Sequence, residues 1–439
     1  MRRRLSALAG ASLYVALVSA PLVVALCPPR PPGRDFWYEL AIALGFTGFG
    51  QLAVEFALVG RFAAISRPYG IDLVMQLHRH FGLVAAASLL AHPLILAVRH
   101  PAYRVPLDPL AGSAAGRTGW FSLLALGILL AVTLGRRRLR LGYEAWRLAH
   151  ALLAVGAIGF AFAHVALVGR YSAAAWKVAA FGLYGALAIA LVVHLRLLRP
   201  ALLRRRPYRV VSVRPGAAKT WAVTVAPVGH DGMRFAPGQF AWVRFGVSSW
   251  SLREHPFSFS SSAEQPERIE FGIKELGDFT RTIGRLPEGS PAYVDGPHGS
   301  FSCDFAPAAS YLFVAGGIGI SPMLGMLRTL ADRGDARPHA LVYACSRWRR
   351  VAFRDEVEAL RGRLDLAVSY VLEQGHEGWT GETGYVGEVS LRRLVLGPDG
   401  RRRVVFVCGP EPMLLAVEAI LARCGLPADH IHMELFDLA

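Results

Sequence analysis

The chain has 439 residues, of which 53% are hydrophobic, and it carries a formal net charge of +16 at pH 7. It is too long for one ordinary domain, and its apolar fraction is too high for a protein that is soluble throughout. These values exclude a small, wholly soluble domain.

The apolar residues are concentrated in the first half of the chain. They form six stretches of membrane-spanning length, at 6–26, 36–60, 71–98, 118–134, 141–169 and 172–198. After residue 206, short β-rich runs alternate with Gly and Pro turns. We therefore predict a multi-domain membrane protein. Its domains are a six-helix transmembrane bundle at 1–203, an antiparallel β-barrel domain at 204–305 and an α/β Rossmann-like nucleotide-binding domain at 306–439.

The basic residues lie at the ends of the apolar stretches. The clusters are residues 2–4, Arg61, Arg67, residues 136–140 and residues 204–206. By the positive-inside rule they mark the cytoplasmic side of the cell membrane, so the N-terminus and the two later domains are predicted to be cytoplasmic. Membrane lipid is the expected partner and nucleic acid is not, because the basic residues form no compact patch. A cleaved signal peptide is the competing interpretation of the first stretch, but the bulky Leu26 disfavours cleavage.

The cysteines exclude several kinds of metal centre. No two of them form a CxxC motif, and they are Cys27, Cys303, Cys345, Cys408 and Cys424. An iron–sulfur cluster, a zinc ribbon and covalent haem attachment are therefore not expected. Any haem must be held by noncovalent ligation.

Histidines recur inside two of the apolar stretches. His78 and His92 lie in the third stretch, His150 and His164 lie in the fifth, and each pair is fourteen residues apart. On a helix that interval returns to within about 40° of the same face and climbs about 21 Å. Because both helices run outward, His78 should face His150 and His92 should face His164. Two facing pairs of neutral imidazoles suit two six-coordinate b-type haems, whereas zinc requires a tighter tetrahedral cluster.

Small residues between the histidines would leave room for a porphyrin. They are Gly82, Ala85, Ala86, Gly156 and Gly159. An interhelical hydrogen bond is the alternative for any single histidine, but the repeated spacing favours ligation.

Two other polar residues of the spans have less defined roles. His80 is rotated about 120° from His92 and is expected at lipid headgroups or at a haem propionate. Glu55, near the inner end of the second stretch, is either a functional carboxylate or a partner for Arg61, and we favour the pairing with Arg61.

The β-barrel domain contains two candidate cofactor segments, 255–261 (HPFSFSS) and 271–283 (FGIKELGDFTRTI). Strand alternation in the first would let one face meet a flat ring while hydroxyls on the other reach ring nitrogens or phosphates. The ring face is His255, Phe257 and Phe259, and the opposite face is Pro256, Ser258 and Ser260. The second segment offers a pyrophosphate seat near a predicted helix start. Its candidate contacts are Lys274, Gly277, Asp278, Phe279 and Thr280. An ordinary strand and turn is the alternative for each segment.

The last third of the chain places three motifs after predicted strands, where open α/β sheets bind ligands. The first is a glycine-rich turn that can hold a dinucleotide pyrophosphate at a helix N-terminus. It comprises Gly316, Gly317, Ile318, Gly319, Ile320, Ser321 and Pro322. The second, Ser346 and Arg347, favours the 2′-phosphate of NADPH over NADH. The third comprises Cys408, Gly409, Pro410 and Met413.

The order of these motifs resembles the NADPH oxidase and ferric reductase superfamily, in which a six-helix haem domain precedes a ferredoxin-reductase-like FAD and NADPH module. The resemblance covers nearly the whole chain and rests on the histidine pairs followed by HPFSFSS, GDFT, GPHGSF, GGIGISP and CGPEPM. It implies that HPFS contacts the flavin, with Ser258 near the reactive nitrogen. It also implies that GGIGISP and the CGP at Cys408 hold the nicotinamide dinucleotide. Phe436 matches the aromatic residue that covers the flavin, although three residues follow it here.

These features predict transmembrane electron transfer from cytoplasmic NADPH, with NADH as an alternative donor, through FAD and two b-type haems. The candidate catalytic residues are Ser258, Cys408 and Phe436. Three acceptors remain open: O₂ reduced to superoxide, a ferric chelate, or an extracytoplasmic partner protein. The outer loops at 28–35, 99–117 and 169–173 are short, which favours a small acceptor such as O₂. The sequence predicts no oligomeric state.

Overall fold

The computed structural model describes residues 2–62, 70–100, 112–398 and 402–435 of the chain. Phe436 and Arg67, which the sequence assigns to a flavin-covering role and to a basic cluster, lie outside these residues. The chain divides into two compact units, Met1–Arg199 and Pro200–Ala439. We call them the helical unit and the sheet unit.

The helical unit contains the six predicted spans. They are α1 (Arg2–Leu26), α2 (Phe36–Leu58), α3 (Ile71–Arg99), α4 (Ala114–Leu134), α5 (Tyr143–Val168) and α6 (Ala175–Val193). All six are long and apolar enough to cross a membrane, which confirms the predicted bundle. Large apolar side chains such as Leu94, Leu134 and Leu152 are exposed on their outer surfaces, as in lipid-facing helices. A π-helical segment, His194–Leu198, and a short helix α7, Arg199–Arg204, follow α6.

Capping side chains set where two of the spans begin. The Asp35 carboxylate accepts hydrogen bonds from the backbone N–H groups of Trp37 and Tyr38, at 3.0 and 3.2 Å, at the start of α2. The Ser113 hydroxyl accepts one from Gly116 at 3.2 Å and starts α4. The fourth span therefore begins before the predicted residue 118, because the cap precedes the first apolar residues.

A buried lysine fastens α6 to the end of α1. Lys177 is fully buried, and its ammonium donates to the carbonyl oxygens of Ala25, Cys27 and Pro29 at 2.9, 2.6 and 3.0 Å. Three acceptors match the three donors of the ammonium group, so backbone oxygens satisfy all of its hydrogen bonds. Such a residue holds two spans in one register.

The first half of the sheet unit is a six-stranded antiparallel sheet. Its strands are β1 (Tyr208–Gly216), β2 (Thr220–Pro227), β3 (Phe240–Phe245), β4 (His255–Ser258), β5 (Ile269–Lys274) and β6 (Pro291–His298). The spatial order is β4-β3-β6-β1-β2-β5. Phe259, Phe271 and Val223 are fully buried between its faces. The predicted antiparallel barrel domain is confirmed as a half-barrel.

The second half of the sheet unit is a six-stranded parallel sheet flanked by helices. Its strands are β7 (Tyr311–Gly316), β8 (His339–Cys345), β9 (Leu366–Leu372), β10 (Glu382–Thr383), β11 (Val404–Gly409) and β12 (Ile431–Leu435). Its helices are α8 (Ile320–Asp332), α9 (Arg354–Arg361), α10 (Glu388–Val395) and α11 (Glu411–Arg423). The strand order is β10-β9-β8-β7-β11-β12. All strands are parallel, but successive strands are added to one side of β7 up to β10 and to its other side from β11 onward. This change of side is the switch point at which open α/β sheets bind ligands, and it confirms the predicted α/β domain.

A network of charged side chains joins the two sheets. Arg328 on α8 donates to a carboxylate oxygen of Glu270 on β5 at 2.7 Å, and it also contacts Glu356 on α9. Arg214 on β1 donates to Glu270 from the other side at 2.8 Å. Burial alone would raise the pKa of Glu270, but the Arg328 and Arg214 guanidinium groups outweigh it and hold this pKa below its ordinary value.

Candidate functional site

The structure brings the predicted histidines together in two pairs. The ring centroids of His78 on α3 and His150 on α5 are 6.2 Å apart, with 66° between the ring planes. Those of His92 and His164 are 6.3 Å apart, with 72° between the planes. Each α3 histidine thus faces the α5 histidine with which the helical spacing pairs it.

The spacing of the rings fits a metal ion shared by each pair. A nitrogen–metal bond is about 2.0 Å long, and the centre of an imidazole ring lies about 1.1 Å beyond its nitrogen, so two imidazoles on opposite sides of one ion would have centroids about 6.2 Å apart. Within the described parts of the chain, no three His, Cys, Asp or Glu side chains converge as a metal cluster. A metal ion held between two imidazoles would need its remaining donors from a bound group, and a haem can supply them.

Each of the four histidines has a hydrogen-bond partner at its Nδ1 atom. In the His92 and His164 pair the partners are backbone carbonyls, Ala41 for His92 and Ala115 for His164, both at 2.8 Å. Because a carbonyl oxygen only accepts, Nδ1 carries the hydrogen and Nε2 keeps the lone pair that a metal needs.

In the His78 and His150 pair, side chains are the hydrogen-bond partners. The Thr133 hydroxyl lies 3.1 Å from His150 Nδ1, and a Glu55 carboxylate oxygen lies 2.6 Å from His78 Nδ1. Glu55 is therefore the hydrogen-bond partner of His78, a candidate metal ligand, whereas Arg61 is the partner predicted from the sequence. The difference follows from the end of α2 at Leu58, which leaves Arg61 beyond the last helical turn.

Glycines allow the supporting helices to approach the histidines. A Cβ atom on Gly45 of α2 would lie 3.1 Å from His92 Nδ1, and one on Gly119 of α4 would lie 3.0 Å from His164 Nδ1. Each glycine follows its supporting carbonyl by four residues, at Ala41 and at Ala115. Neither support is predicted from the sequence; the Ala-x-x-x-Gly pattern repeated on α2 and α4 indicates a close helix contact but does not identify the histidine as its partner.

The small residues between the histidines divide into two groups. A Cβ atom on Gly82 or Gly159 would meet nothing within 4 Å, so open space lies beside both. Ala85 and Ala86 are instead buried. His80 is exposed, with Nδ1 2.7 Å from the Gln76 carbonyl of its own helix, as expected for a residue rotated away from the pairs.

In the first sheet, the rings of the predicted flavin segment converge. His255 stacks on Phe279 with 4.0 Å between centroids, and Phe257 lies 6.4 Å from the same ring. Phe259 and Phe257 also contact Phe271, at 5.5 and 6.5 Å. His255 and Phe257 therefore form one aromatic face with Phe279 of the GDFT segment, whereas Phe259, predicted on the same face, is fully buried in the hydrophobic core.

The hydroxyl face of this segment is more enclosed than the sequence suggests. Ser258 is buried, and Pro256 beside it is half-buried. Ser260 is fully buried and donates its hydroxyl to Glu270 at 3.1 Å. The Ser260 hydroxyl is therefore bonded to a buried carboxylate of the protein. The sequence analysis instead predicts that it contacts a cofactor.

The Thr280 hydroxyl also has an internal role. It accepts hydrogen bonds from the N–H groups of Leu276 and Gly277 at 2.8 and 2.9 Å, where a 3₁₀ helix, Thr280–Arg285, begins. A helix start is present as predicted, but this hydroxyl closes the turn. Gly277 and Asp278 are exposed at its tip.

At the switch point, the two glycine-containing turns meet. A Cβ atom on Gly319 would overlap the Cys408 carbonyl oxygen, and one on Gly316 would lie 2.7 Å from the sulfur of Met413. The predicted contacts at the ends of β7 and β11 are therefore one cluster, in which Gly409 and Pro410 also lie. Cys408 itself is fully buried.

The aromatic face and the switch point are adjacent. The Ser321 hydroxyl donates to the Gly272 carbonyl of β5 at 3.1 Å, and Ile320 and Pro322 are buried beside it. At Gly317, where φ is +55°, a Cβ atom would lie 3.9 Å from Lys274 Nζ. The end of β5 thus joins the two predicted cofactor segments.

A basic cavity lies at the carboxyl end of β8. It has a volume of about 490 Å³ and is lined by Arg347, Trp348, Arg349, Gln374, Gly375 and His376. Arg347 donates to the Gln374 side chain at 2.8 Å, and Arg350 donates to Ser346 at 3.4 Å. Guanidinium groups of this kind can bind a phosphate bidentately.

Three protein families match consecutive parts of the chain. Residues 44–161 match the family described as ferric reductase like transmembrane component. Residues 223–300 match an FAD-binding domain family, and residues 313–419 match the oxidoreductase NAD-binding domain family. The matches fall on the histidine-bearing spans, the antiparallel sheet and the parallel sheet respectively.

Curated relatives match parts of the chain. The glycine betaine monooxygenase reductase subunit of Chromohalobacter salexigens is 31% identical over 210 residues, which are 46% of this chain and 56% of the relative. A flavohemoprotein of Bordetella pertussis is 29% identical over 283 residues, covering 60% of this chain and 69% of the relative. Ferredoxin–NADP reductase B of Sorangium cellulosum is 28% identical over 236 residues, covering 52% of this chain and 96% of the relative. The chain spans little more than half the length of the first of these.

Proposed function

Because the chain has the domain architecture of the ferric reductase and NADPH oxidase superfamily, we propose that it moves electrons across the cell membrane to O₂, forming superoxide. The donor is cytoplasmic NADPH, and the carriers are FAD, the haem of His78 and His150, and the haem of His92 and His164. The observation that carries the proposal is the pair of centroid distances, 6.2 and 6.3 Å, on two facing helices.

The proposal assigns a binding role to each part of the sheet unit. When bound, FAD takes a hydride from the nicotinamide and releases single electrons, which are what a haem accepts. The aromatic face of His255, Phe257 and Phe279 would receive the planar ring, with Ser258 behind it. The turns at Gly316 and Cys408 would hold the nicotinamide dinucleotide. Few acid–base groups are needed, which agrees with a site of rings, glycines and hydroxyls.

The donor preference rests on the cavity at the end of β8. Arg347 and Arg349 line it, and both would pair with a 2′-phosphate that NADH lacks. The similarity to a ferredoxin–NADP reductase supports the same donor.

The sidedness of the reaction follows from charge. Arginines at 136–140 and 204–206 flank the ends of α4 and α7, and by the positive-inside rule these ends face the cytoplasm. The same rule puts the sheet unit in the cytoplasm and the His92 and His164 pair toward the outer leaflet.

The choice of acceptor rests on the outer connections. Residues 27–35 join α1 to α2, and residues 169–174 join α5 to α6, so these loops are too short to form a lid or a chelate-binding domain. A small acceptor needs neither, which favours O₂ over a ferric chelate or a protein.

The proposal is tested by NADPH-driven reduction of cytochrome c by the purified protein loaded with FAD and haem. We expect superoxide dismutase to abolish the reduction, because superoxide would carry the electrons. Reduction that persists unchanged with dismutase would contradict the oxidase and leave a ferric chelate or a partner protein as the acceptor.

A further inference from the structure

One of the four paired histidines differs from the others in the hydrogen-bond partner of its Nδ1 atom. His92 and His164 have backbone carbonyls at Nδ1, and His150 has the Thr133 hydroxyl. His78 has the Glu55 carboxylate at 2.6 Å, the shortest of these four contacts. The inner pair therefore has a carboxylate support, and the outer pair has neutral ones.

The burial of Glu55 inside a span indicates that its contact with His78 is functional. The residue is only 5% exposed, inside a span where an acidic side chain is costly. Its second oxygen, Oε1, has no hydrogen-bond partner among the described residues, and the same holds for Gln51 Oε1 one turn earlier. His78 is thus the side chain that provides a hydrogen-bond partner for the buried Glu55 carboxylate.

The chemistry of such a contact is specific. A carboxylate that accepts from Nδ1–H makes the opposite nitrogen a stronger donor than a carbonyl or hydroxyl does. A stronger donor stabilises the more highly charged, oxidised metal ion more than the reduced one. The metal ion that it binds is therefore harder to reduce.

We propose that Glu55 is a positioning residue that lowers the reduction potential of the haem held by His78 and His150 below that of the haem held by His92 and His164. The inference rests on the proposed function, because it requires both haems. Its consequence is directional: with both haems bound, return of an electron from the outer haem to the inner one would be uphill.

The test is spectroelectrochemistry of the full-length protein, which measures the midpoint potential of each haem. Glu55→Gln keeps the shape of the side chain and an oxygen acceptor but removes the charge. We expect it to raise the lower midpoint by about 59 mV, a tenfold change in a one-electron equilibrium, and to leave the upper midpoint unchanged. Thr47→Val is the matched control on α2, because among the described residues its hydroxyl bonds only to Ala43 and Leu44 of its own helix.

A second variant covers the case in which Glu55→Gln does not retain haem. Glu55→Asp keeps the charge and lengthens the contact, so it should move the same midpoint in the same direction by less. The inference is overturned if neither variant moves the lower midpoint, if both midpoints move equally, or if Thr47→Val produces the same shift. A wild-type protein that binds no haem would instead overturn the proposed function, and haem content separates the two failures.

Discussion

Replacing Arg328 by methionine tests whether the charged network, and not apolar contact alone, joins the two sheets. Arg328 donates to Glu270 and to the Ser260 carbonyl, both at 2.7 Å, and contacts Glu356. The side chain of Glu270 is 8% exposed, so methionine would leave its charge almost fully buried. Only Arg214, whose side chain is 57% exposed, would still pair with it among the described residues.

The expected cost follows from this geometry. Removing one partner of a buried ion pair costs about 3–5 kcal/mol, because the remaining charge is not compensated. Arg333→Met is the matched control. That residue contacts Glu264 at 2.7 Å and Asp304 at 2.6 Å, but its side chain is 39% exposed, so its loss should cost about 1 kcal/mol or less.

The assay is urea unfolding of the full-length protein, followed by the flavin fluorescence released as the sheet unit opens. We expect Arg328→Met to lower the free energy of unfolding several times more than Arg333→Met does. Adding Glu270→Met to Arg328→Met should restore part of the loss, since no buried charge remains. Equal effects of the two single variants would refute the reasoning.

The same experiment has a pH dependence with a defined sign. Because the pKa of Glu270 is lower in the folded chain than in the unfolded chain, its ionised form stabilises the fold above the unfolded value, about 4.3 for Glu. That stabilisation is lost as the pH falls through the folded pKa. The difference between wild type and Arg328→Met should therefore be full at neutral pH and shrink below about pH 4.

Three further outcomes are expected. His92→Ala should lose one of two haems, measured by haem absorbance, yet leave anaerobic reduction of the flavin by NADPH intact; full transmembrane electron flow would contradict the ligand assignment. Gly319→Ala should destabilise the sheet unit by about 1–3 kcal/mol through overlap with the Cys408 carbonyl, while Gly362→Ala, whose Cβ atom would lie 3.4 Å from its nearest neighbour, should not. Arg347→Gln should raise the KM for NADPH about tenfold, equivalent to about 1.4 kcal/mol, and spare NADH; an equal rise for both would remove the phosphate assignment.

The histidine pairs follow from the sequence because helical geometry is regular. A separation of fourteen residues fixes the face of His78 and His92 without any knowledge of tertiary structure. The hydrogen-bond partners of His92 and His164 cannot be predicted in this way. They are the carbonyls of Ala41 and Ala115, which lie on other helices, 51 and 49 residues away in the chain. No local spacing connects residues so far apart.

The hydroxyls of the sheet unit show a different limit. Alternation along a strand gives the face of Ser260, but it does not tell which partner the side chain finds there. Glu270 on the neighbouring strand takes that hydroxyl, and the turn amides take Thr280. Side-chain hydroxyls bond readily to nearby backbone and carboxylates, so such a residue is weak support for a ligand contact.

This contrast comes from the surroundings of each residue. Inside a span, a polar side chain has no water to solvate it, so each one present needs a partner within the protein. Four histidines, Glu55 and Lys177 are therefore conspicuous, and each has a partner in the structure. In the sheet unit, glycines and hydroxyls occur in every turn and most have structural roles. The sequence is for this reason more informative about the helical unit, even though the helical unit has the simpler fold.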